Sequence, residues 1–248
     1  MKAIIIAAGM GRRLRPHTDR RPKCMVEIAG KPILHHQLDA FRAHGVDDIV
    51  IIRGYKGGGI QAKGVRFIDN HRHRENNILE SLFCAGPELV GDVIVSYGDI
   101  LYRPSVVGRL LGHAQPGVLV VDTAWRKNYE GRTDHPESEA ELLRLSPYEL
   151  VTEVGKQVTS EGAVGEFIGL ARLTSGLVGR LWALYLEALS AGRERPYGNA
   201  PTLRQAYLTD LLNDAIRHGE QLGVCPIAGD WREIDTVQDY ERATKEWT

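Results

Sequence analysis

The chain has few cysteines, no long apolar run and almost no net charge. Its three cysteines, Cys24, Cys84 and Cys225, are odd in number, and no pair has CxxC spacing. This excludes a disulfide framework or a cysteine-built zinc site and points to reduced thiols in a reducing compartment. No apolar stretch approaches the ~20 residues needed to cross a bilayer. Residues 1–8 resemble the core of a short secretory leader, but the run is too brief. Arginines then follow where a cleavage region would be small and neutral. The expected location is therefore cytoplasmic. Lys and Arg total 31 against 32 Asp and Glu, a formal net charge of -1. No basic field points to nucleic acid or a membrane surface. Internal repeats, low-complexity segments and a clear linker are also missing.

What is present is an ordinary globular composition, 43% hydrophobic over 248 residues, enough to bury a sizeable core. Residues 3–8 (AIIIAA) form a short apolar run bounded by glycine, as a strand buried on both faces requires. Residues 32–43 carry Ile33, Leu34, Leu38 and Phe41 at helical spacing, with His44-Gly45 as a stop. Strands are predicted at 48–52, 65–68, 92–97 and 118–122. A helix is predicted at 76–85, with Ile78, Leu79, Leu82 and Phe83 in one stripe, and another before residue 118. This alternation predicts an α/β fold with a doubly wound, mostly parallel Rossmann-like sheet. Further on, 125–141 is rich in charge and turn formers and reads as a loop or hairpin tip. Residues 143–158 and 166–173 alternate like strands. Helices are expected at 176–189 and 202–218, a final strand at 221–226 and a terminal helix at 237–247. One domain over 1–248 is expected: a nucleotide-binding half to about residue 122, and a C-terminal elaboration for an acceptor beyond it.

Residues 7–23 read AAGMGRRLRPHTDRRPK. A strand followed by Gly9-x-Gly11 and basic residues suits a phosphate cradle. Glycine lets backbone amides approach phosphate oxygens, and a following helical turn adds positive dipole. Arg12, Arg13, Arg15 and Lys23 supply charge for a polyphosphate. The P-loop spacing is absent, and Leu14 stands where a dinucleotide fingerprint needs its third glycine.

The whole string fits G-x-G-x-R-L-x-P-x-T-x-x-x-P-K through Gly9, Gly11, Arg13, Leu14, Pro16, Thr18, Pro22 and Lys23. It resembles the signature of the sugar-phosphate and phosphocholine nucleotidyltransferase superfamily. The likeness extends along most of the chain. Asn76-Asn77 with Ser81-Leu82 is similar to the N-N-x-x-S-L segment of the cytidylyltransferase branch. Tyr97-Gly98-Asp99 stands where that family keeps its first metal-binding aspartate. Residues 233–240 (EIDTVQDY) are similar to the E-I-D-S-V-x-D-Y ending of bacterial phosphocholine cytidylyltransferases, in which the aspartate matching Asp235 is the second metal ligand. Residues 96–100 and 166–170 resemble cytidylyltransferase domains of phosphonate biosynthesis that act on aminoethyl- or hydroxyethylphosphonate.

The resemblance implies an Mg²⁺-dependent enzyme that joins CMP from CTP to a small phosphonate or phosphorylated alcohol or amine, releasing pyrophosphate. It implies nucleotide contacts from Ala7, Ala8, Gly9, Gly11, Arg12, Arg13, Lys23, Gly54, Asn76, Ser81 and Asp99. Arg13 and Lys23 act in catalysis, and Asp99 and Asp235 hold magnesium. Acceptor contacts are expected from Asn77, Lys156, Glu166 and Trp231. The attacking phosphate or phosphonate oxygen is anionic near neutral pH, so alignment and charge neutralisation suffice without a general base. The competing readings are a hexose- or heptose-1-phosphate nucleotidyltransferase and a catalytically silent nucleotide-binding regulator. His71-x-His73 reads as a surface turn and His35-His36 as helix residues. The tryptophans other than Trp231 read as core anchors. Helix 176–189 reads as core packing or a homodimer face.

Overall fold

Residues 2–7 bury every side chain, and their isoleucines alternate between two separate cores. A strand can do this only when both faces of its sheet are covered. The computed structural model describes residues 1–247. In chain order it contains β1 (Lys2–Ala7), β2 (Glu27–Ile28), β3 (Lys31–Pro32), α1 (Ile33–Arg42), β4 (Asp48–Arg53) and β5 (Arg66–Asp69). Then come α2 (Ile78–Phe83), β6 (Val93–Tyr97), β7 (Ile100–Tyr102), α3 (Pro104–Leu111), β8 (Gly117–Asp122) and α4 (Arg126–Tyr129). The chain continues through β9 (Leu142–Leu145), β10 (Val151–Gly155), β11 (Gly165–Leu173), α5 (Ser175–Ala191) and α6 (Leu208–Arg217). It closes with β12 (Leu222–Ile227), β13 (Trp231–Glu233) and α7 (Val237–Glu246).

Strands from both halves of the chain share one nine-stranded sheet. Parallel pairs join β5 to β4, β4 to β1, β1 to β6, and β8 to β12. Strand β11 runs the other way, wedged between β6 and β8, and its first residues also pair with β9 of the β9–β10 hairpin. Six strands, β5, β4, β1, β6, β8 and β12, thus share one direction and β11 opposes them. The period-2 pattern of 166–173 identified a strand but carried no information about its direction.

Ile4, Ile6, Val50, Val95 and Val121 face α2, α5 and α6. Ala3, Ile5, Ile51, Ile94 and Val120 face α1 and α3. Each fully buried aliphatic side chain of this kind contributes roughly 1.5–3 kcal/mol, and the two layers fix the carboxyl ends of β1, β4 and β6 at one rim. A third cluster joins Leu14, Val26, Ile28, Leu101 and Ile234 to Trp247. It clamps α7 onto the glycine-arginine loop. Thr236 starts α7 with a capping box: its hydroxyl accepts from Asp239 N–H, and the Asp239 carboxylate accepts from Thr236 N–H.

Three expectations are corrected. Residues 202–207 are not part of a helix. They form a single 3₁₀ turn, and α6 starts only at Leu208. The carbonyls of Arg204 and Ala206, which a helix would use internally, instead accept from Asn77 and Leu79 at the start of α2. The strand at 222–227 is not the last, because β13 follows and pairs antiparallel with β7. Residues 125–141 are not only a loop but include α4 and the inward-facing His135 and Glu141. No helix among the described residues is long and apolar enough to cross a membrane.

Candidate active site

The site is built where β1 and β6 end and β7 begins. Gly11 turns the loop after β1 with φ of 56°. A Cβ there would stand 2.9 Å from Thr18 Cγ2 and 3.2 Å from Lys23 Cβ. The Thr18 hydroxyl donates to the Gly11 carbonyl at 2.8 Å and closes the loop. Gly11→Ala is therefore expected to displace Lys23. Backbone strain alone costs about 1–3 kcal/mol, so unfolding in urea should move to lower concentration and nucleotide affinity should fall. Wild-type nucleotide affinity in that variant would contradict this account of the loop.

Asp99 lies in the turn between β6 and β7. Buried Gln37 of α1 holds that turn, donating to the carbonyls of Tyr97 at 2.8 Å and Ile100 at 2.6 Å. Asp235 follows β13. The β7–β13 ladder, with Ile234 N–H donating to the Asp99 carbonyl at 2.9 Å, brings together two carboxylates far apart in sequence. They meet at Lys23, whose Nζ donates to Asp99 Oδ2 at 2.6 Å and Asp235 Oδ1 at 2.7 Å. Lys23 is 8% exposed, its ammonium held between the two carboxylates. The half-exposed Arg13 guanidinium also donates to Asp235.

Beside this cluster opens a cleft of about 290 Å³. Ala8, Gly9, Arg13, Asp99 and Asp235 line it from the loop side, and Asn76, Asn77 and Ser81 from the start of α2. Lys156 just after β10, Glu166 in β11 and Trp231 at the start of β13 line the other side. Among the other expected site residues, Lys23 stands behind the two aspartates, and Ala7 is buried at the end of β1. The exposed Arg12 makes its side-chain contact to Met10, and Gly54 packs against the Ala8 carbonyl and His73. These four and Gly11 do not line the cleft. Asn76 and Ser81 share a partner that the sequence did not single out: buried Asn70 donates to both side chains at 2.9 Å. Asn77 occupies the N-cap position of α2, but its side chain makes no cap bond and donates instead to the Gln205 carbonyl at 3.0 Å.

The β9–β11 side is rich in carboxylates. Glu141 accepts from Thr209 at 3.1 Å and Tyr97 at 3.2 Å, and burial pushes its carboxyl up to about 7. Glu166 accepts from Tyr129 at 2.6 Å through one oxygen. Its other oxygen, Oε2, is buried without a hydrogen-bond partner among the described residues. Burial pushes this carboxyl up to about 8, against the pull of Tyr129 and Arg132. Lys156 donates to Glu139 at 2.6 Å, a bond that holds Glu139 below the usual carboxylate range. Trp231 donates through Nε1 to Asp122 at 2.7 Å. His73 lines the cleft from what had read as a surface turn, and His135, Glu139, Glu141, Tyr207 and Glu233 complete that side.

Arg132 organises this side from behind. It is buried, donating to Asp239 at 2.6 Å and to Glu233 at 3.0 Å. Burial works against the charge on Asp239, but the hydrogen bond and charge of Arg132 and the hydrogen bonds from Thr236 together outweigh it, holding the carboxyl below its ordinary value. Arg132→Met leaves buried carboxylate unpaired and is expected to cost about 3–5 kcal/mol. The stability that Asp239 contributes is present above the unfolded carboxylate pKa of about 3.9 and lost as pH falls through the depressed value. The gap between wild type and variant should therefore close in acid. A gap in urea-unfolding free energy that stays constant down to pH 2 would contradict the assignment.

Residues 3–168 match the MobA-like NTP transferase domain family. The chain is 30% identical over 253 residues to a CTP:phosphoglutamine cytidylyltransferase of Campylobacter jejuni, covering 97% of this chain and 98% of that one. It is 35% identical over 107 residues to a choline-phosphate cytidylyltransferase of Streptococcus pneumoniae, covering 42% of this chain and 47% of that one. In fold it is similar to the solved CTP:phosphocholine cytidylyltransferase of Streptococcus pneumoniae, with a TM-score of 0.74 and 22% identity over 100% of this chain and 99% of that one. With the glycine-arginine loop, the paired aspartates and the cleft between the sheet's carboxyl ends, these likenesses have one reading: the chain belongs to the MobA-like NTP transferase domain family and is a nucleotidyltransferase.

Proposed function

We propose that the protein transfers CMP from CTP to a small acceptor with a phosphate or phosphonate at one end and a cationic group at the other. The observation that carries this reading is the division of the cleft. Arg13 lines the loop side, where phosphates are met, with Lys23 behind Asp99 and Asp235, and Glu141 and Glu166 line the other. The unpartnered Oε2 of Glu166 is a buried acceptor with no donor, and an ammonium supplies one. A neutral sugar would bring no cation to that oxygen. The choice of CTP rests on the Campylobacter and pneumococcal relatives, whose names specify cytidylyl transfer.

In the proposed reaction an anionic acceptor oxygen attacks the α-phosphorus of CTP. A new P–O bond forms as the bond from that phosphorus to the α–β bridging oxygen breaks, and pyrophosphate leaves with the electron pair. No proton has to be removed first. Lys23 and Arg13 offset charge on the phosphates, and the loop amides near Gly9 and Gly11 align them. Asp99 and Asp235 present hard oxygen donors around one cationic point, as the 2.6 Å and 2.7 Å bonds to Lys23 show. That donor set fits Mg²⁺, which we take as the cofactor. When bound it supplies further neutralisation of the triphosphate.

The test is pyrophosphate release with CTP, UTP, GTP and dTTP against phosphocholine, 2-aminoethylphosphonate, 2-hydroxyethylphosphonate, phosphoglutamine and several sugar 1-phosphates. Release with CTP and an amine-bearing acceptor is expected. Release confined to sugar 1-phosphates would replace this reading with the sugar nucleotidyltransferase one, and no release with any pair would favour the regulatory one.

A further inference from the structure

One group of the cleft has no part in the proposed transfer. His135 is 3% exposed, and its Nδ1 is buried without a hydrogen-bond partner among the described residues. Nδ1 stands 3.5 Å from Oδ2 of Asp235, and Nε2 stands 3.5 Å from Oε2 of Glu233. One donor atom from each of His135, Glu233 and Asp235 lies within 4.8 Å of the others. The two carboxylates already have cationic partners, Arg132 on Glu233 and Arg13 with Lys23 on Asp235. Ion pairing therefore accounts for the acids but not for the orphaned imidazole nitrogen.

We propose that Nδ1 of His135 and the Asp235 carboxylate form a mixed nitrogen–oxygen cation site that takes Mn²⁺, Co²⁺ or Zn²⁺ in preference to Mg²⁺. The inference goes beyond the proposed transfer reaction and shares only Asp235 with it. Donors 3.5 Å apart are bridged by one ion at the ordinary length of about 2.1 Å to each. Glu233 faces the opposite ring nitrogen, with Oε2 3.5 Å from Nε2, so its charge favours the proton on Nε2. This fixes the tautomer that leaves the Nδ1 lone pair turned to Asp235. A carboxylate, an imidazole and a metal in line is the usual way that a ligating histidine is held. Mg²⁺ prefers oxygen and sheds water reluctantly, whereas imidazole favours the later first-row ions. Arg13 is the group that must yield at Asp235 Oδ2. Its side chain is 48% exposed and free to turn toward solvent or a phosphate.

The experiment titrates Co²⁺ into chelator-treated full-length protein without nucleotide, read by visible absorption and calorimetry. One saturable equivalent is expected. His135→Gln should weaken it at least about tenfold, the loss seen when a metal site is disturbed even in its outer shell. Asp99→Asn, which removes a proposed magnesium ligand, should leave Co²⁺ binding nearly unchanged. Wild-type affinity and spectrum in His135→Gln would overturn the proposal. Because a buried histidine can also matter for folding, a second reading uses the unsubstituted protein. With ¹⁵N-imidazole label, Zn²⁺ should shift one histidine Nδ1 resonance to saturation at one equivalent, and Mg²⁺ should not. A Zn²⁺ titration that moves no histidine resonance would equally overturn it. Failure of the transfer reading is seen separately, as absent pyrophosphate release in protein that still binds Co²⁺.

Discussion

Lys23→Ala is expected to lower turnover with CTP by about 10²–10³-fold, the loss typical of removing one preorganised charge at a reacting centre. The side chain is held by two carboxylates at 2.6 Å and 2.7 Å, beside the loop that meets the phosphates. Lys23→Arg should not restore the rate. A planar guanidinium does not fit a buried site built around a compact ammonium between Asp99 and Asp235. Asp99→Asn and Asp235→Asn should cause losses of the same order, because each removes a hard oxygen donor and unbalances Lys23. Single-turnover rates with saturating CTP, in variants whose unfolding midpoints are known, check all of these. Near-normal rates in folded variants of both aspartates would remove them from the magnesium site.

Glu166→Gln is expected to raise the acceptor KM by about 10–100-fold, since pairing with a buried charge is commonly worth 1.5–3 kcal/mol. The CTP KM should hardly move. The pH dependence gives the sign. Burial places the Glu166 carboxyl at about 8, so it is largely protonated at pH 6.5 and increasingly ionised above 7. A cationic acceptor prefers the ionised form, and its KM should fall as pH rises through this window. Phosphocholine suits the test because its quaternary ammonium does not titrate and its phosphate is doubly ionised above about pH 6. In Glu166→Gln the slope should flatten to what Glu141, with its carboxyl at about 7, contributes. Stability should move the opposite way. A raised carboxyl pKa stabilises the fold below the unfolded value of about 4.3, and that contribution is lost as pH rises through the folded value. Glu166→Gln keeps the acceptor for the Tyr129 hydroxyl but cannot ionise. Without acceptor it should melt higher than wild type at pH 8.5, with a smaller difference at pH 6. Equal melting shifts at both pH values, with an unchanged acceptor KM, would contradict the assignment.

Much of the fold was legible in the sequence because its central strands are buried on both faces. Runs such as Ile4-Ile5-Ile6 and Val93-Ile94-Val95 leave little else to choose. The phosphate loop was legible because its chemistry is local: Thr18 and Lys23, both within a short stretch after Gly11, pack against it. The rest depends on contacts between distant segments. The start of the predicted helix at 202–218 was misplaced because the carbonyls of Arg204 and Ala206 are taken by the start of α2. The three-residue β13 is too short to show a period, yet its pairing with β7 is what joins Asp235 to Asp99. Arg132, His135, Glu139 and Glu141 sit in a segment with no periodicity. Their inward direction comes from partners on other elements: Asp239 and Glu233 for Arg132, Lys156 for Glu139, and Tyr97 and Thr209 for Glu141. A pair of acids in a charged loop gives no sign that one of them will be buried against Thr209 and Tyr97.

The division of the cleft into a phosphate side and a cation-binding side is tested most directly by ³¹P NMR of the protein with CTP, Mg²⁺ and matched acceptors. 2-Aminoethylphosphonate and 2-hydroxyethylphosphonate differ only in the ammonium. The account predicts free pyrophosphate and a pair of mutually coupled resonances from a new anhydride linking CMP to the acceptor. These should appear faster with the amine than with the alcohol, and the advantage should disappear in Glu166→Gln. Equal rates with both phosphonates and with phosphocholine, or consumption of CTP only when a sugar 1-phosphate is present, would contradict it.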